Sequence, residues 1–478
     1  MLTEKFKYSD EQDYLMYPNF VNRKRELEFL ENKYKEGNRQ LIVIYGRRRI
    51  GKTELITHFA RNKEHIYFLA NKRGTLANAD RFAEKTAKFF KDIKPVVKDF
   101  DDVFKYIINR IKNKKLIIII DEFSYLVEKD PAIPSVFQFI VDEILKKSNV
   151  MLILCGSSMS MMEKGVLSYK SPLYGRRTGQ WKLNPLNIKA IMKFFPDLDM
   201  KDIIEFYSVT GDVPAYLIKL DPKKDLFENI RKKILTKGEF LYDEGRNLLM
   251  QELREPDTYL DILEAMTKAS RPGEIANLAR IEAKDLPKYI KNLQKIDIIE
   301  KINLITERKP KKTLYVIKDN FIKFWFRFVY PNKSELEENN IDDIMIEIRK
   351  NFSQYVGNCF EKFCFNILKE EYIQIFKFTK IGKQWGKFKG EKGKNTYEID
   401  IVALNNETMQ ILFAECKWKN NVNASKILQE LKKKANYVGW HRNKRKEYYV
   451  IFAKSFKNRV KERNVFCFDL NDIEKFLR

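Results

Sequence analysis

Cysteine and histidine are scarce in this chain of 478 residues, and their scarcity excludes several classes of protein. The 5 cysteines are scattered without a C-x-x-C pair, and the 3 histidines show no metal-ligand spacing. We therefore expect neither a zinc ribbon nor a disulfide framework. No apolar run reaches about 18 residues, so a transmembrane helix is not expected. The first residues lack the hydrophobic region of a signal peptide, and we expect a cytoplasmic protein without a membrane partner.

Acidic residues are too few to balance the basic ones. The chain has 91 Lys and Arg against 66 Asp and Glu, a formal net charge of +25. Such an excess of positive charge attracts polyanions. Nucleic acid, and DNA in particular, is therefore the expected partner. Charge-rich compositions also occur in thermophile proteins, but there Lys is usually balanced by Glu. The length suggests about three domains.

The most specific motif runs from Gly46 to Thr53 and reads G-x-x-x-x-G-K-T. It follows the apolar run 41–45, so a buried strand leads into a glycine-bounded loop, as in a phosphate-binding P-loop. Lys52 would reach the β- and γ-phosphates, and the Thr53 hydroxyl would hold Mg2+. The predicted nucleotide contacts are Gly46, Arg47, Arg48, Arg49, Ile50, Gly51, Lys52, Thr53 and Glu54. The three arginines would contact the nucleotide, a neighbouring domain or a neighbouring subunit; the sequence leaves these alternatives open.

A second apolar run, 116–120, ends in Asp121 and Glu122. Because the run has no polar alternation, it predicts a strand buried on both faces of a parallel sheet. Carboxylates at the end of such a strand lie where open α/β sheets bind ligands. Asp121 would bind Mg2+ through water, and Glu122 would activate the attacking water. The alternative is an acidic cap on the following helix.

A third buried strand, 150–154, precedes Ser157, which would sense the γ-phosphate or belong to a plain turn. Further on, Arg176 and Arg177 lie on a glycine-flanked loop. One of them, Arg176 before Arg177, would stabilise phosphate charge in the transition state, or both would face solvent or DNA. Such an arginine acts between subunits only in an assembly, so a homo-oligomer is among the partners considered.

Residues 20–27 read F-V-N-R-K-R-E-L and resemble the F-x-[GN]-R-x-x-E-L box of archaeal-type, AAA+-related ATPases of the STAND class. Residues 172–176 and 211–217 also resemble that family, although Asp212 stands where a second glycine is usual. The resemblance implies that Phe20, Asn22 and Arg23 lie beside the adenine base, and that ATP and Mg2+ are the cofactors. It implies an α/β fold: an extension over 1–17, then a parallel-sheet P-loop NTPase domain with a helical lid over 18–255.

Residues 256–330 predict a winged helix-turn-helix, with three short helices and two strand-like pieces around the basic residues 307–312. The third helix would enter a major groove and the hairpin would touch phosphate. The alternative is a domain that only packs against the ATPase. The aromatic block 321–328 predicts a buried packing helix.

The remaining residues predict a linker over 331–345 and an α/β restriction-endonuclease-like domain over 346–478. Asp400 lies on one strand, and Glu415 and Lys417 share a face of the next. This pattern resembles the PD-(D/E)xK nucleases, with Ile399 where the proline of that name would stand. Asp400, Glu415 and the helical Glu361 would hold Mg2+, and Lys417 would orient the water. An active nuclease and an inactive nuclease fold remain alternatives.

Together these patterns predict a Mg2+-dependent ATPase whose hydrolysis is coupled to DNA binding or DNA processing. The alternative is an ATP-driven regulatory switch, in which an inactive nuclease fold binds DNA or protein.

Overall fold

The computed structural model describes residues 20–253, 255–306, 313–370, 373–389 and 394–478. The predicted extension 1–17 and the basic hairpin tip 307–312 lie outside these residues. Within the described chain, no helix combines the length and the apolar character that crossing a bilayer requires.

A parallel five-stranded sheet organises the first part of the chain. Its strands are β1 (Gln40–Tyr45), β2 (His65–Leu69), β3 (Leu116–Asp121), β4 (Val150–Gly156) and β5 (Gly179–Lys182). They lie in the order β2-β3-β4-β1-β5, and every neighbouring pair is parallel. Every residue of β3 and β4 is buried, as their unbroken apolar sequence predicts. The parallel sheet predicted for this part of the chain is confirmed.

Helices cover both faces of this sheet. They are α1 (Lys24–Lys35), α2 (Lys52–Ala60), α3 (Thr75–Phe90), α4 (Phe100–Ile111), α5 (Phe123–Lys129), α6 (Ile133–Phe139) and α7 (Met159–Met162). Alternate residues of β1 point to opposite faces, so Ile42 packs with Leu55 of α2, and Val43 packs with Phe104 of α4. Helices α6 and α7 continue into single π-helical turns at Ile140–Ile144 and Glu163–Leu167, and a 3-10 turn covers Tyr174–Arg176.

A set of helices follows the sheet. They are α8 (Ile188–Phe194), α9 (Met200–Thr210), α10 (Pro214–Leu217), α11 (Leu226–Asn229) and α12 (Glu244–Glu252), with a π-helical turn at Ile230–Leu235. We call residues 188–252 the helical segment. Its last helix, α12, lies against the loop that leaves β1.

The middle of the chain contains helices α13 (Asp257–Lys268), α14 (Pro272–Leu278) and α15 (Leu286–Lys295) and strands β6 (Ile299–Asn303) and β7 (Thr313–Ile317). The two strands pair antiparallel. This is the order of elements on which the winged-helix prediction depends. The aromatic block forms α16 (Asn320–Phe324) and a π-helical turn (Trp325–Val329), and its rings are fully buried, as a packing role requires.

The predicted linker 331–345 is wrong, because this segment is mostly helical and packed. After a 3-10 turn at Tyr330–Asn332 come α17 (Lys333–Glu337) and α18 (Ile341–Lys369). Leu336, Ile344 and Met345 are buried. A few apolar residues at helical spacing form the buried side of these helices. Because the surrounding stretch is acidic, its overall composition indicated a linker.

A mixed sheet forms the C-terminal part. Its strands are β8 (Lys380–Lys389), β9 (Lys394–Asn405), β10 (Gln410–Lys417), β12 (Lys446–Ala453) and β14 (Val465–Phe468), in the order β14-β12-β10-β9-β8. A small parallel pair, β11 (Val422–Asn423) and β13 (Phe456–Asn458), lies beside them. Helix α18 packs on one face of the large sheet, α19 (Ala424–Ala435) packs on the other, and α20 (Leu470–Leu477) ends the chain.

Candidate functional site

The loop between β1 and α2 has the backbone that its two glycines permit. Gly46 has a φ of 151° and Gly51 a φ of 83°. A Cβ on Gly46 would lie 2.6 Å from the carbonyl oxygen of Leu183 and 2.6 Å from Cδ1 of Ile50. A side chain is therefore excluded there, and the loop can turn tightly from the buried strand into the helix.

Lys52 begins α2 and is buried inside this loop. Its Nζ donates to the carbonyl oxygen of Arg47 at 2.9 Å. Burial lowers the pKa of Lys52, against the opposing effect of Asp121 and Glu122 nearby. Glu54, the other predicted contact in this turn, is exposed on the first turn of α2.

Asp121 meets Thr53 at the carboxyl edge of the sheet, as predicted. Its Oδ2 accepts from the Thr53 hydroxyl at 2.7 Å and from the Tyr67 hydroxyl at 2.8 Å. Its Oδ1 accepts from the backbone N–H of Glu122 at 2.8 Å. Tyr67, on β2, was missed in the sequence, where only its place near the end of an apolar strand could have drawn attention to it.

Glu122 contacts the predicted sensor, Ser157. The Ser157 hydroxyl lies 2.8 Å from Oε2 and 3.0 Å from Oε1 of Glu122. Glu122 has a φ of 52° and makes no side-chain cap to α5, so the helix-cap alternative is not what the structure has. The carboxylate instead projects from the end of β3 toward the serine that follows β4.

The box at residues 20–27 lies against the end of the P-loop. Arg23 donates to the carbonyl oxygen of Ile50 at 2.9 Å and to that of Asn184 at 2.7 Å. The Asn22 amide donates to Asn187 at 3.0 Å, and the Phe20 ring stacks on His58 with centroids 4.0 Å apart. These contacts fix the box beside the loop, and adenine contact by Phe20, Asn22 and Arg23 stays a prediction.

The side chains of the three P-loop arginines reach away from their loop. Arg47 Nη2 lies 2.5 Å from Asp319 Oδ2, and Arg48 Nε lies 2.9 Å from Glu252 Oε1. Arg49 pairs with Glu244. Of the alternatives left open by the sequence, the contact with a neighbouring part of the chain is present. Nucleotide contact by these three side chains stays a prediction. Three successive arginines in the sequence indicate a charged contact, but they do not predict which carboxylates are the partners.

The backbone at Arg176 and Arg177 lies near the amino end of β1, away from the P-loop. The neighbouring Thr178 N–H donates to the carbonyl oxygen of Leu41 at 2.9 Å, near the amino end of that strand. Arg176 Nε lies 2.6 Å from Asp142, and Arg177 Nε donates to the carbonyl oxygen of Tyr174 at 3.1 Å. The structure therefore does not bring the predicted catalytic Arg176 to the P-loop of its own chain. Action between subunits remains a prediction for an assembly.

A second group of charged residues lies in the C-terminal sheet. Asp400 on β9 accepts from the Cys416 N–H of β10 at 2.9 Å, so the predicted hairpin brings it beside Glu415. Burial first, and then the neighbouring carboxylates Glu361 and Glu415, raise the pKa of Asp400 to about 7. The four residues predicted here, including Lys417, share one neighbourhood.

Lysines occupy this neighbourhood more densely than the sequence indicated. Glu361 lies 2.7 Å from Lys383, and Glu415 lies 2.7 Å from Lys417 and 2.9 Å from Lys434. Among the described residues, no three His, Cys, Asp or Glu side chains are grouped as a metal site. The predicted three-carboxylate site is therefore corrected: Glu361 and Glu415 each pair with lysine and do not form one metal group with Asp400. Lys383 and Lys434 were missed, because the sequence does not show that β8 and α19 lie beside this hairpin.

Comparison with known proteins identifies two parts of the chain. Residues 20–220 match a family described as an ATPase domain predominantly from Archaea. Residues 325–451 match a family of archaeal and bacterial proteins of unknown function. An uncharacterized protein of Methanocaldococcus jannaschii is 39% identical over 464 residues, which cover 95% of this chain and 99% of that protein.

Two solved structures are similar at low identity. The Walker-type ATPase of Pyrococcus abyssi has a TM-score of 0.46 and 21% identity, over 64% of this chain and 95% of that one. The ORC2 protein of Aeropyrum pernix, solved as ADPNP–ADP complexes, has a TM-score of 0.41 and 14% identity, over 70% of this chain and 96% of that one.

Proposed function

The chain belongs to one family with its Methanocaldococcus jannaschii relative and carries an archaeal ATPase domain that makes it an ATP hydrolase; we propose that Lys52, Thr53, Asp121 and Glu122 carry its reaction. The observation that carries this assignment is the 2.7 Å contact between Thr53 and Asp121. It joins the first turn after the P-loop to the end of β3, at the edge where parallel sheets bind ligands.

These residues fit a magnesium ion. A hydroxyl and a carboxylate are the oxygen donors that Mg2+ prefers, and substrate phosphates usually complete its coordination. Thr53 and Asp121 would hold the ion, and Tyr67 would keep the Asp121 carboxylate in place. Bound Mg2+ supplies neutralisation of phosphate charge.

The remaining steps belong to side chains of this chain. Lys52 would exchange its bond with the Arg47 carbonyl for the β- and γ-phosphates. Glu122 would orient the attacking water and accept its proton, which is the work of a general base. Ser157 would fix the direction of the Glu122 carboxylate, because its hydroxyl already contacts both oxygens.

The test is phosphate release with ATP and Mg2+. Lys52→Ala should abolish turnover, because it removes the ammonium that would reach the β- and γ-phosphates. Lys105→Ala removes an exposed lysine from α4 and is the matched control. Wild-type hydrolysis by the Lys52 variant would show that the assignment is wrong.

DNA is the proposed partner of the hydrolytic cycle, through α15. Leu286, Ile290 and Leu293 bury one side of this helix. Lys288, Lys291 and Lys295 follow at a spacing of three and four residues on the other side and are exposed. A basic helix face, added to a net charge of +25, supports contact with phosphates as expected of a winged helix.

Cleavage of nucleic acid is a second candidate function, supported by the meeting of Asp400, Glu415 and Lys417. Two carboxylates are enough to hold Mg2+ when phosphate oxygens complete the coordination, and three lysines nearby would attract the backbone. The alternative is a regulatory switch in which ATP shifts the domains and this fold only binds DNA or protein.

Incubation with supercoiled plasmid, single-stranded DNA and RNA, in Mg2+ or Mn2+, separates these functions. Cutting that disappears in Asp400→Ala supports the nuclease. Binding that weakens steeply with salt, without cutting, supports the switch. Glu407→Ala, an exposed carboxylate in the β9–β10 turn, is the matched control.

A further inference from the structure

The P-loop is tied by charge to two later parts of the chain. We call the pairs Arg47–Asp319, Arg48–Glu252 and Arg49–Glu244 the arginine clamp. Glu244 and Glu252 lie at the two ends of α12, and Asp319 immediately precedes α16. The loop residues 47–50, between two glycines, therefore hold both the helical segment and the start of the aromatic block.

The carboxylates of the clamp are deeply buried. The side chains of Asp319 and Glu244 are 0% and 1% exposed, and that of Glu252 is 5% exposed. Burial would lower the pKa of Arg47, but Asp319 raises it above its ordinary value. Burial also raises the pKa of Glu252, and Arg48 opposes that shift.

The clamp is not fully satisfied by hydrogen bonds. In the part of the chain that the structure describes, eight buried side-chain nitrogen or oxygen atoms have no hydrogen-bond partner. Three of them belong to the clamp and make no ion pair either: Arg47 Nε, Glu244 Oε2 and Glu252 Oε2. Buried polar atoms without a partner are costly, so these groups gain from a change of partner.

The clamp also borders the catalytic carboxylate. Arg48, Glu252 and Ser157 line one small cavity, together with Ile298. Ser157 contacts Glu122, and the charges of Glu122 and Lys52 act on Arg48 and Glu252. The Glu252 carboxylate thus stands beside the place where the terminal phosphate of a nucleotide would lie.

The other end of the clamp reaches the C-terminal part. Asp319 caps α16 by accepting from the Ile322 N–H at 3.0 Å. On either side of it, Lys318 and Asn320 offer their carbonyl oxygens to Lys362 and Tyr355 of α18. Lys362 directly follows Glu361, so α18 joins the clamp to the charged group of the C-terminal sheet.

We propose that Glu252 and Asp319 compete with the phosphates of ATP for the P-loop arginines. This inference rests on the proposed binding of ATP at the P-loop. A polyphosphate beside Arg47 and Arg48 repels the clamp carboxylates, so ATP opens the clamp and a closed clamp weakens ATP binding. Because coupling between two binding equilibria is reciprocal, the same free energy governs both effects.

The experiment measures the Kd of a non-hydrolysable ATP analogue with Mg2+ in the full chain. Glu252→Gln keeps the shape and removes the charge, and it should tighten binding by ~10-fold. Glu239→Gln, whose partner Lys233 lies on the surface of the same helical segment, should leave the Kd unchanged. Asp319→Asn, which retains a capping oxygen for α16, should also tighten binding.

A second measurement guards against a purely structural effect. Adding the analogue to the wild type should speed hydrogen exchange in α12 and at 318–322, and the same segments should already exchange faster in Glu252→Gln. Unchanged exchange on binding would overturn the proposal, even if the Kd of the variant differed.

Failure of the clamp and failure of the ATP site give different results. If Lys52→Ala binds the analogue as tightly as the wild type, the ATP site itself is wrong. If Lys52→Ala loses binding while Glu252→Gln matches Glu239→Gln, or binds more weakly, the site stands and the competition is refuted.

Discussion

At the residue scale, the proposed ATP site is a set of carboxylates that accept hydrogen bonds from hydroxyls. Asp121 accepts from Thr53 and Tyr67, and Glu122 accepts from Ser157. A hydroxyl donor holds a carboxylate in one orientation before the reaction begins. The contribution of that carboxylate to the rate therefore depends on the donor. The second hydroxyl of the Ser157-Ser158 pair contacts Ser160 instead and provides a natural comparison.

Removal of the Ser157 hydroxyl should slow hydrolysis without preventing nucleotide binding. We expect Ser157→Ala to lower kcat by ~10-fold, less than the 100-fold or more expected for loss of a general base in Glu122→Gln, with KM nearly unchanged. Steady-state phosphate release at several ATP concentrations checks this. Ser158→Ala is the control, and an equal loss of activity there would contradict a specific role for Ser157.

At the scale of elements, apolar runs in the sequence located the strands but not every partner of the site. The buried runs at 41–45, 116–120 and 150–154 predicted β1, β3 and β4, because burial on both faces demands unbroken apolar sequence. Tyr67, Asp319 and Glu252 contact the site from elements distant in sequence. Their place is decided by three-dimensional packing, which no local pattern records.

The stretch 331–345 is a second case in which local sequence did not predict the packing. Its composition indicated a linker, whereas Leu336 is buried at 1% exposure and belongs to a packed helix. Leu336→Ala should destabilise the protein by about 2–5 kcal/mol, the usual range for truncation of a buried leucine. Chemical denaturation measures this, with Ile346→Ala, 64% exposed on α18, as the control. Equal stability of the two variants would restore the linker interpretation.

At the scale of the whole molecule, one apolar core runs through most of the chain. It joins residues of the helical segment, the middle helices, α18 and the C-terminal sheet, as the contact between Tyr207 and Phe363 illustrates. The hydroxyl of Tyr355 on α18, which contacts the Asn320 carbonyl, also lies 2.9 Å from the carbonyl oxygen of Ser208 on α9. The predicted domains are therefore not joined by free linkers.

A fragment ending at residue 330 should accordingly be poorly folded. It would expose the apolar surface that α18 covers on α9 and α16, and exposed patches of that kind promote association. Thermal unfolding and size-exclusion chromatography of residues 20–330, beside the full chain, test this. A monomeric fragment that unfolds at the temperature of the full chain would show that the C-terminal part is dispensable for the core.

Asp212, which stands where the motif resembled by residues 211–217 has a second glycine, has a consequence for how relatives of this chain can diverge. It lies near a second acid, Asp319, and both interact with the cations Arg47 and Lys362. Among these four groups, the two negative and two positive formal charges balance. Replacement of one of them by a neutral residue would leave an unbalanced charge. We therefore expect the four positions to change together among relatives.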